Sequence, residues 1–355
     1  ALAKQPLGQD AWRTSQWETP EIQQDPAQDW YANEKSYAAY LQGKFYFDVG
    51  FAEVDVVAGA RLVQTNSYNR GMSQVRFNDE TRLEERIKEN DYLDIFPNTS
   101  MRIRFTDEWL LRAGFTRTST KPGFGDLNPA LTITQNVSGG SGTPSIPETD
   151  FDAEGSGGNP ELKPLTSDNY DISLEYYFSD AGYMSAAVFY RDLEGFISWY
   201  TRFVEDENYG TIRLNRPENA GQGRIKGLEL NVSTFLDFAG APAFLHPFGI
   251  SANATRLEGE NRVPNGEGGF GEYLPIPGLS KWTFNTAIFY EANKFQARLS
   301  YNLRKEWVNW YGQTTPNGGF VGNKTHDRDR VDFSMSYDIS DHLSVRMDVA
   351  NILAN

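Results

Sequence analysis

The sequence predicts an all-β chain that forms a transmembrane antiparallel β-barrel, and three observations predict it. Apolar and polar residues alternate strictly in many successive segments, no convincing amphipathic helix separates those segments, and their connections alternate between tight turns and long loops. The stretch SDNYDISLEYYFSDAGYMSAAVFYRDL, residues 167–193, shows the first of these. Tyr170, Ile172, Leu174, Tyr176 and Phe178 fall on one side of an extended chain, and Asp171, Ser173 and Glu175 on the other. Such a strand separates two environments, and the rest of the chain decides which.

The same period runs from end to end. Outward positions are Tyr37, Ala39, Leu41 and Phe45, then Val54, Val56, Ala58 and Leu62, then Met101, Ile103 and Phe105. Leu228, Leu230 and Val232 oppose Gly227, Glu229 and Asn231; Phe295, Ala297, Leu299 and Tyr301 oppose Gln296, Arg298, Ser300 and Asn302; and Val331, Phe333, Met335 and Tyr337 oppose Asp332, Ser334, Ser336 and Asp338. These segments amount to about twelve strands. The turns VGFAE, TDE, SDAG, EANK and SDH follow alternate strands, so every odd strand is expected to leave by a short turn. Long loops are expected at residues 67–90, 121–164, 258–277 and 306–327. One rim of tight turns opposite one rim of long loops fits an outer-membrane barrel, in which the short turns are periplasmic. A soluble sandwich distributes its loop lengths between both ends. Tyr37, Phe47, Phe178, Tyr183, Trp282 and Tyr290 lie near strand ends and suit interfacial aromatic girdles.

Composition narrows the function classes. The 355 residues carry 33 basic and 48 acidic side chains, a net charge of -15, and no cysteine. Phosphate attraction needs clustered Lys and Arg, so a nucleic-acid partner is not expected. Disulfides, thiol nucleophiles and thiolate metal sites are excluded. His246, His326 and His342 are too scattered for a metal cluster. No apolar run approaches the roughly 18–20 residues of a membrane helix, which leaves barrel strands of about 9–11 residues as the means of crossing. The chain opens ALAKQPLGQDAW without an initiating Met.

The segment GNPELKPLTSDNYDISLEYYFSDAGYMSAAVFYRDLEGFI, residues 158–197, resembles the TonB-dependent receptors of Gram-negative outer membranes. RTSTKPGFGDLNP before it, RIKGLELN at 224–231 and RVDFSMSYDISDHLSVRMDVANIL at 330–353 resemble that family in the same order. The resemblance implies a barrel of about 22 strands, a plug that fills it, and a Ton box that engages the inner-membrane energising complex. Residues 1–355 then form part of one barrel domain. Neither the plug nor a final strand is expected in this chain, and about nine strands are expected before residue 36. The implied location is the outer membrane of a Gram-negative bacterium, with lipid, an extracellular ligand and the TonB complex as partners.

Chemistry in the loops is sparse. The pairs Asp206–Glu207 and Glu84–Glu85 read as solvated charge, no catalytic motif is present, and no catalytic residue or cofactor is expected. A β-rich glycoside hydrolase or carbohydrate-binding protein is the competing class, since two carboxylates and stacking rings suffice for it. Asp150, Asp152, Glu154, Gly155 and Glu161 approach calcium-loop spacing, but flanking helices are lacking, so a solvated loop is the preferred reading and no metal is assigned. The remaining signal is aromatic. Trp12, Trp17 and Trp30 precede the first strand, and KEWVNWYGQ sets Trp307, Trp310 and Tyr311 at the top of strand ten. Rings in outer loops stack on sugar faces, support a siderophore or form the upper aromatic girdle; the expected ligand is an oligosaccharide, with a ferric siderophore as the alternative.

Overall fold

The computed structural model describes residues 29–77, 80–135, 151–238, 240–262, 271–314 and 320–353. Its strands, in chain order, are β1 (Trp30–Asp48), β2 (Glu53–Phe77), β3 (Glu80–Arg104), β4 (Trp109–Thr120), β5 (Leu131–Gln135), β6 (Ala153–Gly157), β7 (Leu165–Ser179), β8 (Gly182–Asp206) and β9 (Gly210–Phe235). They continue with β10 (Phe248–Arg262), β11 (Leu274–Pro275), β12 (Trp282–Ala292), β13 (Phe295–Arg304), β14 (Trp307–Thr314), β15 (Phe320–Thr325), β16 (Arg328–Ser340) and β17 (Leu343–Val349). Twelve of these pair antiparallel in one sheet, in the order β1-β2-β3-β4-β7-β8-β9-β10-β12-β13-β16-β17. This is an up-and-down meander whose number of strands the alternation anticipates.

Register places every apolar set on the same side. Phe45 stands opposite Val56, Val56 opposite Met101, and Met101 opposite Ala113. The row passes through Ile172 and Val188 to Leu228, and Leu299 faces Phe333 further along. Because cross-strand partners share a face, a single apolar band crosses the whole sheet. Its side chains are open: Leu41 is 82% exposed, Tyr37 65% and Ile288 53%. Leaving a large aliphatic side chain in water forgoes about 1.5–3 kcal/mol of burial, and water-soluble monomers do not carry continuous apolar bands of this extent. The band therefore calls for an apolar solvent. On β2 it runs from Val54 to Leu62 and then gives way to Gln64, Asn66, Tyr68 and Arg70, a length that suits one membrane crossing of about 9–11 residues.

The aromatic rims follow. At the tight-turn end Trp109 stacks on Tyr176 at 4.4 Å, and Phe248 meets Tyr290 edge to face at 4.9 Å. At the other end Phe115 and Tyr170 lie 5.0 Å apart. Tyr183 departs from the expected girdle. It pairs with Ser233 on the opposite, polar face and stacks on Tyr177 at 6.2 Å.

The polar face is braced by pairs between neighbouring strands. Arg102 is bonded to Asp55, Arg112 Nε donates to Glu175 at 2.8 Å, and Arg191 donates to Asp171 at 2.6 Å. Asn253 Nδ2 donates to Asn231 Oδ1 at 2.5 Å, and Asn231 donates in turn to Ser185. Small residues make room where rings lie on this face. A Cβ at Gly227 would come within 2.4 Å of the Phe189 ring.

Connections differ from expectation in two ways. Residues 67–90 form a hairpin, not a loop, because β2 and β3 continue in register as far as Phe77 and Glu80. Residues 306–327 likewise contain the β14–β15 hairpin. The outer face of the β2 arm meets water and its inner face meets the β4–β7 connection, so SYNRGMSQVRF carries polar residues on both sides and its strand period is hidden. The rule that odd strands leave by tight turns fails once: β9 reaches β10 through residues 236–247, which include a 3-10 turn at Ala243–Leu245.

The connection from β4 to β7 folds onto the polar face. Leu131 N donates to Ser73 Oγ at 2.8 Å, Asn90 donates to Pro160 O at 3.2 Å, and Lys88 pairs with Glu161 at 3.2 Å. Asn159, 3% exposed, is the hub. Its backbone N–H donates to Asp126 O, its side-chain amide donates to Pro217 O at 3.0 Å, and its Oδ1 accepts from Glu161 N at 3.1 Å. The GNPELKP spelling thus ties the connection to the two long arms.

Two outcomes are expected. Cysteines at Leu228, Leu230 and Phe333 should react with a bilayer-restricted probe in the complete receptor, while cysteines at Glu229, Asn231 and Ser334 should react with a water-borne one; the reverse pattern would invert the two faces. Asn159→Leu should destabilise the arm junction by about 1–3 kcal/mol, the cost of orphaned buried partners, seen as faster hydrogen exchange at residues 159–163.

Candidate functional site

The site builds up at the rim where the long arms stand. β13 and β16 end there in register, with Arg304 opposite Arg328. Both fall on the polar side of the sheet, since Leu303 and Val331 occupy the apolar positions next to them. Arg304 Nε donates to Ser280 Oγ at 2.8 Å and a terminal nitrogen donates to Gly278 O at 2.5 Å, which fixes the guanidinium. Its carbon lies 3.7 Å from the centroid of the Trp307 ring, and that of Arg328 lies 5.7 Å from the same ring. Neither arginine has a carboxylate ion-pair partner among the described residues. Two like charges on adjacent strands thus lie near one aromatic ring, which offsets part of their repulsion.

A clasp roots the β14–β15 hairpin above them. Lys305 Nζ donates to Asp327 Oδ2 at 2.5 Å, and Glu306 N donates to Asp327 Oδ1 at 2.7 Å. The bond from Lys305, then that from the Glu306 amide, holds the Asp327 carboxyl below its ordinary value; the bond to Asp327 raises Lys305. The clasp therefore loses its anion only as pH falls through the lowered Asp327 value, and its cation only as pH rises through the raised Lys305 value. Between those limits it is constant.

The three rings expected at this hairpin do not form one platform. An irregularity in pairing between Val308 and Trp310 leaves Asn309 as the extra residue, so Trp307 faces Thr325 and Trp310 faces Asn323, two apart on β15 and on one side. Tyr311 pairs with Gly322 on the other side, packed beside Val308. Its hydroxyl donates to Pro275 O at 2.9 Å, and partial burial raises its phenol above the ordinary value. Trp307 is half-buried under Arg304, and only Trp310, 56% exposed, presents an open ring. Trp30 lies inside β1 as its first residue, not before it. Trp12 and Trp17 lie outside the described residues, as does Asp150.

The remaining residues of the calcium-like spacing do not converge. Asp152 accepts from Thr211 N at 2.8 Å, Glu154 pairs with Arg213 at 2.9 Å, and Glu161 pairs with Lys88. They belong to β6 and its flanks, where alternation sends neighbouring side chains to opposite faces. The loop carboxylates are also taken up: Glu84 accepts from the Tyr209 hydroxyl, and Glu85 lies 3.7 Å from Arg70. Sequence reading passed over Arg304 and Arg328, since a lone arginine at a strand end carries no signal until register joins it to another.

Asp327→Asn should leave the strands paired and raise the exchange rate of the Glu306 amide, by about tenfold if a charge-assisted bond is lost. In the unsubstituted protein that rate, corrected for intrinsic base catalysis, should stay level from pH 5 to pH 9, where the clasp keeps both charges.

A family model described as TonB dependent receptor-like, beta-barrel matches residues 6–352. No curated protein matches the chain. Among solved structures, it is similar to the siderophore receptor PirA from Acinetobacter baumannii, at 14% identity and a TM-score of 0.55, covering 91% of this chain and 51% of that one. It is similar to the ferric yersiniabactin uptake receptor FyuA from Yersinia pestis, at 14% identity and a TM-score of 0.57, covering 92% and 42%. The copper transporter OprC gives 15% identity and a TM-score of 0.58, covering 91% and 43%. The chain thus spans about half the length of these structures, and at such identities they speak to the fold alone. On the family match, carried by the same alternating strands and meander order, the chain belongs to the TonB dependent receptor-like β-barrel family.

Proposed function

We propose that the chain is the wall of an outer-membrane receptor of a Gram-negative bacterium that imports a scarce anionic molecule, energised through TonB. The observation that carries the ligand reading is the Arg304–Arg328 pair over Trp307: two cations without carboxylate partners among the described residues, in a chain of net charge -15. Guanidinium donors held near an aromatic ring suit the delocalised negative charge on the oxygens of a ferric chelate or of a planar carboxylate. Of the similar structures named above, one is described as a siderophore receptor and another as a ferric yersiniabactin uptake receptor, which agrees with this chemistry. An oligosaccharide is the second reading, and the open ring of Trp310 favours it.

In the complete receptor, Arg304→Gln with Arg328→Gln should weaken binding of an anionic ferric tris-catecholate by about tenfold to a hundredfold, measured by fluorescence quenching. Trp310→Ala should leave that binding unchanged. Binding of a neutral oligosaccharide that is lost in Trp310→Ala and untouched by the arginine changes would turn the assignment to the sugar.

A further inference from the structure

The β4–β7 connection does more than cover the polar face. β5 pairs parallel with the tip of β2 through Gln74–Arg76, β5 pairs with β6, and β6 pairs parallel with β9 through Ile212–Asn215. β5 takes the same edge of β2 that β1 occupies lower down, and β6 takes the same edge of β9 that β10 occupies. A chord of sheet therefore joins two arms that lie four wall strands apart. The side on which it crosses is given by its core: Val75, on the polar side of β2, packs with Leu131, Ile133, Ala153, Ile212 and Leu214. The chord crosses inside the circumference of the wall, its apolar face turned back towards β3, β4, β7 and β8.

Its other face looks into the remaining vestibule. Alternation is strict: β5 and β6 both run buried, exposed, buried, exposed from their first residue. The exposed set is Thr132, Thr134, Ser156 and Asn215, with Glu154 and Arg213 joined at 2.9 Å. They line a recess of about 420 Å³ together with Thr201. Hydroxyls and an amide thus stand in rows on a rigid sheet, and the recess's two charges neutralise each other. Phe203, 49% exposed, lies one strand over, opposite Arg213. Within the recess most groups both donate and accept, and the exposed Arg76 stands outside its lining, opposite Thr134 at the β2 edge. Uncharged, polyhydroxylated matter fits it, with an aromatic ring at its margin for a sugar's C–H face.

We propose that this face is a saccharide-contacting wall of the vestibule, formed by Thr132, Thr134, Ser156 and Asn215. The proposal rests on the import reading in its second form, with an oligosaccharide as the ligand, and adds a contact surface apart from the arginine corner. The solvent-facing hydroxyls do not hold the sheet together, so they are removable without loss of the fold.

The test uses the complete receptor and a library of neutral α- and β-linked oligosaccharides of glucose, mannose, galactose and xylose, read by native mass spectrometry and then calorimetry. At least one member should be retained. The triple variant Thr132→Val, Thr134→Val, Ser156→Ala should bind it at least about tenfold more weakly, and Thr132→Ser with Thr134→Ser should restore most of the affinity. Retention of no oligosaccharide, or affinity unchanged in the triple variant, overturns the proposal. The ferric tris-catecholate is measured in parallel. Its binding in the triple variant, together with failure of the sugars, sinks the wall and leaves the import reading standing, whereas sugar binding alone sinks the anionic reading and leaves the wall.

Discussion

Unbroken antiparallel pairing is the constraint on which the rest depends. A backbone in hydrocarbon has no water to satisfy its N–H and C=O groups, so each strand must find its partner in the next, and register must hold across every hairpin. A slip of one residue in any strand would turn its Leu and Ile set to the polar side and its Asp and Arg set to lipid. From this comes the single apolar band, and from the band come the polar rows of Asp55–Arg102, Arg112–Glu175 and the linked Asn231 and Asn253 on the reverse. In a barrel wall these rows make the side that does not meet lipid wet and charged.

Above the band the constraint relaxes and the chain uses its freedom. The arms β2–β3 and β8–β9 keep their pairing although their outer faces now meet water, and the bulge at Gly195, with φ of 83°, marks where β8 leaves β7 behind. Between the arms the shorter β4 and β7 would leave a notch. The connection between them crosses it on the inside, with Asn159 as hub and a small dry core of its own around Ile133. The buried side chains cluster there, not in the membrane band, because the band's partner is lipid. This reversal of the usual soluble pattern gives the vestibule a rigid inner wall, and rigidity is what a set of fixed hydroxyls or a pinned guanidinium needs in order to select a ligand.

Strand number, face assignment and the identity of the band were legible in the sequence because each is a local, period-2 property: Leu228, Leu230 and Val232 declare a face whatever lies beside them. Family membership was legible as a resemblance carried by GNPELKP and the following strand, although the role of that spelling, tying Asn159 to Pro217 and Asp126, was not. What only the tertiary structure decided depends on residues far apart in the chain. Arg304 and Arg328 are 24 positions apart and become a pair through the register of β13 with β16. Trp307, Trp310 and Tyr311 are close in sequence, yet one extra residue at Asn309 decides which two of them share a side. Residues 150–161 approach calcium-loop spacing, yet Ala153–Gly157 among them fold as a strand, because their backbone groups are claimed by β5 and β9, partners that no local pattern names. Alternation tells a residue which face it takes; only pairing tells it which neighbours it meets there, and a binding site is made of neighbours.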